Sequence, residues 1–308
     1  MDKIAFIFPG QGSQFVGMGK DIYEGYPEAR DVFDEASIAL GLDLKNLCFQ
    51  GPEENLTLTT YTQPAILTTS FALWACINKP DSVFLAGHSL GEFTALVAGG
   101  AMTLKTAVSL VMERGRYMQE AVPEDVGGMA AVIGLDKQDI TEICKIAWDA
   151  GRVWAANYNC PGQIVISGEK KGVQKAAELA KERGAKFSVM LPVSIPSHCP
   201  LMEKAARRFA ERVNRIEMRD LEVPVVSNCR AVPMKGKEKI KENMISQLTS
   251  PVRWEDSIRF MLQEGVTTFI EVGPGKVLSG LVKRINRESR IVNISDAAGV
   301  ERFKEALQ

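Results

Sequence analysis

Few residues in this chain have the types and spacing to do chemistry, and one group dominates them: Gly87-His88-Ser89-Leu90-Gly91. It has the G-x-S-x-G form. The apolar run SVFLAG (82–87) precedes it and a helical pattern over 90–98 follows it. A strand that turns sharply into a helix lifts a serine hydroxyl clear of the sheet. Side chains at the flanking positions would block that turn, so both are glycine. The helix N-terminus adds free N–H groups and the positive end of its dipole. Such a serine suits nucleophilic attack on an acyl group.

A serine nucleophile needs a base within hydrogen-bond reach. The sequence holds two histidines. His88 adjoins the serine, and side chains next to each other on a tight turn point apart. His198 is the better base. It sits in Pro196-Ser197-His198-Cys199-Pro200, a loop bracketed by prolines. Without the elbow, His198 would read as an ordinary loop histidine. Serine before histidine in chain order fits α/β-hydrolase-like enzymes.

Other chemistries are excluded by what is missing. Gly10-Gln11-Gly12-Ser13-Gln14-Phe15 has Phe15 where a dinucleotide loop needs its third glycine, and no GxxxxGK[ST] occurs. The six cysteines form no CxxC pair, which argues against a zinc site or redox dithiol and for buried, reduced thiols. No metal and no bound cofactor is expected. A net charge of −1, with basic residues spread along helical stretches, gives no footprint for nucleic acid.

The elements that must position these residues alternate between strand and helix, as in an α/β fold with a largely parallel sheet. Strands are expected at 4–8 and 82–87, with helices at 28–40, 64–77, 90–98 and about 103–120. The order then becomes β-α-β-β-α-β: strand 129–135, helix 136–150, strands 153–158 and 163–168, helix 170–183, strand 186–193. This is the split pattern of ferredoxin-like domains. It predicts a small domain over 125–194 inserted into a large one made of 1–124 and 195–308. Beyond it, the pattern gives a helix at 200–214, a strand at 223–227, helices at about 238–248 and 254–264, a strand at 268–273 and a last helix at 276–287. The 308 residues are 45% hydrophobic and 24% charged, ordinary for a soluble globular chain. The run 4–8 is too short for a signal-peptide core. The weakly polar stretch 65–77 is too short to span a bilayer and contains Thr68, Thr69 and Ser70. A cytoplasmic location is expected.

Several longer stretches together resemble the malonyl-CoA:acyl carrier protein transacylases of bacterial fatty-acid synthesis. They are FPGQGSQ (8–14), TQPA (62–65), GHSLGE (87–92), ERGRYMQ (113–119), NCPGQIVISG (159–168), PSHCPLM (196–202), QLTSPVRW (247–254) and EVGPGKVLSGL (271–281). The resemblance implies malonyl-CoA and acyl carrier protein as partners, a monomer, and an α/β-hydrolase-like large domain. It implies Ser89 as nucleophile and His198 as general acid–base, with the main-chain carbonyl of Gln247 holding the imidazole. The N–H groups of Gln11 and Leu90 would form the oxyanion hole, and Arg114 would pair with the malonyl carboxylate. Asn159 and Gln163 would lie near the thioester cleft, and Gln63 would line the pocket. Ser197 departs from the phenylalanine common at that place in the family, which bears on acyl preference.

Because carrier proteins are acidic, a basic face is expected around the pocket mouth, drawn from Lys186, Arg207, Arg208, Lys283, Arg284 and Arg287. The elbow by itself also fits a serine thioesterase or carboxylesterase. A non-catalytic carrier-protein scaffold is the third class, disfavoured by the presence of Ser89, His198 and Arg114 together.

Overall fold

The run Ile4–Phe8 is apolar at every position because both of its faces are covered. Ala5 and Ile7 pack into one core cluster, while Phe6 and Phe8 pack into another on the opposite side. Continuous apolarity of this kind marks a central parallel strand. The computed structural model describes residues 3–78, 80–123 and 125–306. Met1, Asp2, Lys79, Leu307 and Gln308, and the expected domain boundary at Glu124, lie outside the described residues.

Nine strands run along the described chain: β1 (Lys3–Phe8), β2 (Phe84–Gly87), β3 (Gly127–Ile133), β4 (Val153–Cys160), β5 (Gln163–Glu169), β6 (Phe187–Met190), β7 (Val225–Val226), β8 (Val266–Val272) and β9 (Arg290–Ile294). One sheet has the order β7-β2-β1-β8-β9, with every pairing parallel. The α/β reading with a parallel sheet therefore holds. Phe8 pairs with Gly87, so β1 and β2 end together. The loops leaving their carboxyl ends converge there, which is where open parallel sheets bind ligands.

The second sheet is antiparallel, with the order β4-β5-β3-β6. Helices Lys137–Ile146 and Lys170–Glu182 cover one face, burying Ile140, Ile143, Val173 and Ala176 against Val132, Ile164 and Ile166. Met129, Ala156 and Val165 lie on the other face. This sheet is tied to the rest of the chain by backbone bonds from Val252 N–H to the Ala156 carbonyl (2.8 Å) and from Tyr158 N–H to the Val252 carbonyl (2.9 Å).

Some expectations are corrected. The helix at 277–285 is not the last element: β9 and helix Ala297–Glu305 follow it. The segment Arg290–Ile294 is an edge strand of five residues with Asn293 inside it, so its apolar signal is weak. The helix expected to begin at Pro64 begins at Thr59 and carries Pro64 within it. Proline is favoured in the first turn, which made Pro64 read as the start. The short helices Lys20–Gly25, Leu44–Gln50 and Glu53–Thr57 went unread because one or two turns show little periodicity. Helix 136–150 ends at Ile146 and tightens into a 3₁₀ turn at Ala147–Asp149. The strands expected at 186–193 and 223–227 shrink to β6 and β7.

The glycines of the elbow are fixed by contact. A Cβ on Gly87 would lie 1.9 Å from the Gly91 carbonyl carbon, and one on Gly91 would lie 2.0 Å from the Phe8 carbonyl oxygen. Gly280 is an exposed helix residue with open space around its Cα. Gly87→Ala should therefore destabilise the protein by about 3 kcal/mol or more, whereas Gly280→Ala should stabilise it by roughly 0.5–1 kcal/mol. Urea unfolding of the two variants checks this, and equal midpoints would contradict the steric account.

Candidate active site

The strand-to-helix turn after β2 holds Ser89 at φ 51°, ψ −107°, a conformation that side chains other than glycine rarely adopt. His198, at φ 60°, is held similarly. Backbone strain of this sort costs about 1–3 kcal/mol per residue and persists where the surroundings over-determine it. Here they do. The Ser89 N–H donates to Asn228 Oδ1 (2.7 Å), and Asn228 Nδ2 donates to the Gly87 carbonyl (2.6 Å). Close approach of Gly10 to the His88 carbonyl completes the clamp, since a Cβ there would lie 2.4 Å from the oxygen.

The two strained residues meet. Ser89 Oγ and His198 Nε2 are 2.7 Å apart, and the other ring nitrogen, Nδ1, lies 2.8 Å from the Gln247 main-chain carbonyl. A carbonyl can only accept, so Nδ1 carries the proton and Nε2 is left as the acceptor for the serine hydroxyl. His198 is buried. Burial, then the nearby Arg114 guanidinium, push its pKa down to about 3, against the opposing hydrogen bond to Gln247. The imidazole is thus neutral at ordinary pH, with Nε2 free to accept a proton. His88 points elsewhere: its Nε2 lies 2.9 Å from Asn159 Oδ1, and its ring meets Trp254 edge-on.

Ser89 and His198 open on a cavity of about 610 Å³ between the two sheets. Gln11, Leu90, Arg114, Asn159, Gln163 and Ser197 share its lining, and Met129 and Val165 form the wall given by the antiparallel sheet. Leu90 opens its helix, so its N–H has no acceptor within that helix. Arg114 is only 1% exposed. Its Nη1 donates to Gln63 Oε1 and its Nη2 to Gln247 Oε1, both at 2.8 Å, and its guanidinium lies over the Phe93 ring at 5.2 Å. Its Nε finds no partner among the described residues.

Gln63 is therefore placed behind Arg114 and is not among the residues lining the cavity, contrary to expectation. The expected basic face is thinner than the sequence suggested. Arg207 and Arg208 pair with Glu203 and Glu120, Arg284 donates to Gln163 Oε1 at 2.6 Å, and none of the six lines the cavity.

Two residues went unread. Asn228 follows the two-residue strand β7, and its clamp on the elbow is visible only in three dimensions. Glu92 closes the GHSLGE motif, yet a lone acidic residue in a first helical turn reads as a dipole partner. It is fully buried and within the field of Arg114. Burial raises the pKa of Glu92 and lowers that of Arg114, each shift opposed by the other group's charge.

The description "acyl transferase domain" matches residues 5–305. The chain belongs to that family. The malonyl CoA-acyl carrier protein transacylase of Bacillus subtilis is 52% identical over 313 residues, spanning 100% of this chain and 98% of the relative. The solved transacylase of that name from Coxiella burnetii superposes with a TM-score of 0.97 at 42% identity, covering 99% of this chain and 98% of that one. A chain of the structure described as a type II PKS acyl-carrier protein in complex with its malonyl-transacylase matches with a TM-score of 0.96 at 42% identity, covering 99% of each. The resemblance read from the motifs thus extends over the whole acyl transferase chain. No helix among the described residues is long and apolar enough to cross a membrane, and no cluster of metal-ligating side chains occurs among them.

The depressed basicity of His198 has a measurable consequence. An unfolded histidine takes its proton near 6.5, so the folded state loses stability as pH falls below that value and keeps losing it toward about 3. With only two histidines, imidazole NMR resolves the titration directly. The His198 ring should remain neutral more than about one unit below 6.5, and Arg114→Ala should raise its midpoint. Titration of His198 near 6.5 in the unaltered protein would contradict the assignment.

Proposed function

We propose that this acyl transferase moves a malonyl group from coenzyme A to the phosphopantetheine thiol of acyl carrier protein through a malonyl ester of Ser89. The observation that carries the reading is a buried guanidinium, Arg114, on the wall of the cavity that holds the Ser89–His198 pair. Its bonds go to two neutral amide oxygens, which leaves N–H donors over for a carboxylate. A planar fork of donors suits a carboxylate in a way that lysine would not reproduce. The relatives named above carry the same activity in their names, and the esterase alternative has no observation in its favour.

The chemistry runs in two halves. His198 Nε2 takes the proton of Ser89 as Oγ attacks the thioester carbonyl, and the oxyanion forms against the N–H groups of Gln11 and Leu90. Collapse breaks the C–S bond, and the imidazolium returns its proton to the coenzyme A thiolate. In the second half the carrier thiol gives its proton to His198 and attacks the ester. The C–O bond breaks and Ser89 regains its proton. The Gln247 carbonyl keeps the histidine in the required tautomer throughout. Asn159 and Gln163 stand at the thioester cleft, Asn159 also holding His88. No cofactor is needed, since the acyl group arrives already activated.

The same reading divides the chain into an α/β-hydrolase-like domain, 1–124 and 195–308, and a ferredoxin-like insert, 125–194. In its own numbering the insert has strand order 2-3-1-4, as that fold requires. A monomer in the cytoplasm, free of membrane and nucleic acid, completes the proposal. Lys186, Lys283 and Arg287 are the exposed basic residues left for the carrier protein.

Two experiments test it. Malonyl-CoA alone should add one malonyl group to the intact protein, and Ser89→Ala should show none by mass; an adduct on the Ser89→Ala protein would refute the nucleophile. The kcat/KM ratio for malonyl-CoA over acetyl-CoA should be large in the wild type. In Arg114→Ala it should collapse, with malonyl transfer down on the order of a hundredfold, because a charge-assisted bidentate contact is worth a few kcal/mol. An unchanged ratio would make Arg114 structural.

A further inference from the structure

A carboxyl group with no access to the cavity joins the two working halves of the site. Glu92 is fully buried in the first turn of helix Leu90–Ala98 and does not line the cavity. Its Oε2 accepts the Asn228 N–H at 2.5 Å, and its Oε1 accepts Gln247 Nε2 at 3.1 Å. Asn228 is the clamp on the Ser89 turn. Gln247 holds His198 through its main chain and Arg114 through its side chain. We propose that Glu92 is a positioning residue: it orients the Gln247 amide, and so makes Arg114 a selective reader of the substrate carboxylate. This rests on the malonyl reading above.

The argument is one of donors and acceptors. A glutamine amide has an accepting and a donating end. Gln247 Nε2 donates to the Ser89 carbonyl at 3.0 Å and to Glu92, and this turns Oε1 toward Arg114 Nη2. The reversed amide would set its NH₂ against the guanidinium and its oxygen against two acceptors. The Ser89 carbonyl supplies one of those acceptors. Glu92 supplies the other, and it bears the charge that demands a donor. Both of its oxygens accept hydrogen bonds, and these bonds with the Arg114 charge favour the ionised carboxylate against the upward push of burial. Without it, one face of the guanidinium fork loses its hold and the geometry for a carboxylate loosens.

Glu92→Gln keeps the volume and removes the device. Its amide can present oxygen to Gln247 or to the Asn228 N–H, and at the other contact it must set a donor against a donor. The readout is the ratio of kcat/KM for malonyl-CoA to that for acetyl-CoA. A residue that serves only the fold lowers both rates through the fraction of active protein and leaves the ratio untouched. The ratio should fall about tenfold or more in Glu92→Gln, mainly through KM for malonyl-CoA, while acetyl transfer falls less. If Glu92→Gln does not fold, Glu92→Asp serves. A carboxylate one methylene shorter cannot meet both partners, so the ratio should again fall. A wild-type preference for malonyl that survives in the folded variant overturns this inference alone. Absence of that preference in the wild type overturns the malonyl reading, and this inference with it.

Discussion

Taking the Arg114 guanidinium out of water is the step on which the rest of the site depends. A buried cation without partners costs many kcal/mol, and the surroundings are arranged to offset it. Two amide oxygens, an aromatic face and one buried carboxyl surround it. None of these cancels the charge at the cavity wall. Neutral amides orient the fork without neutralising it, and Glu92 acts through Gln247 and across space without a direct hydrogen bond to Arg114. The cavity thus keeps a preorganised positive site whose best remaining partner is an anion. Burial keeps His198 neutral, and the same charge adds to it, since a guanidinium nearby disfavours an imidazolium.

Position follows from backbone contact. Phe8 and Gly87 end adjacent parallel strands in register, and Gly91 fits against the Phe8 carbonyl. That contact fixes where helix Leu90–Ala98 starts, hence where Ser89 points and where Glu92 is buried one turn later. His198 and Gln247 come from distant parts of the chain, yet they meet at 2.8 Å because the helix Lys237–Ser246 ends just before Gln247 and leaves its carbonyl free. Sheet register, helix start and helix end together set the geometry of the pair.

This division explains what could be read from the sequence. Ser89 was legible because its turn imposes glycine at fixed spacing, a local constraint. The parallel sheet was legible because strands buried on both faces are apolar throughout, as in β1. His198 was found by scarcity, there being only one other histidine. Arg114, Gln247 and Gln11 came from resemblance to a known family, since nothing local distinguishes a buried arginine from a solvated one on a helix. Asn228 and the work of Glu92 stayed hidden because hydrogen bonds across 136 or 139 residues leave no periodic trace. The end of the chain was misread for a different reason: β9 is a short edge strand half open to solvent, where packing places few demands on residue type.

The choice of a main-chain carbonyl as the partner of His198 fits the same electrostatics. A carboxylate at that place would stabilise the imidazolium more strongly and raise the base. It would also put a second anion beside Arg114, against the substrate carboxylate that the proposed mechanism places there. A thioester needs less help, because its carbonyl is readily attacked and a thiolate leaves easily. The Gln247 carbonyl fixes the tautomer by direction alone and adds no charge. In the proposed mechanism charge in this site is thereby reserved for reading the acyl group, while the chemistry at Ser89 is carried by neutral groups held in place.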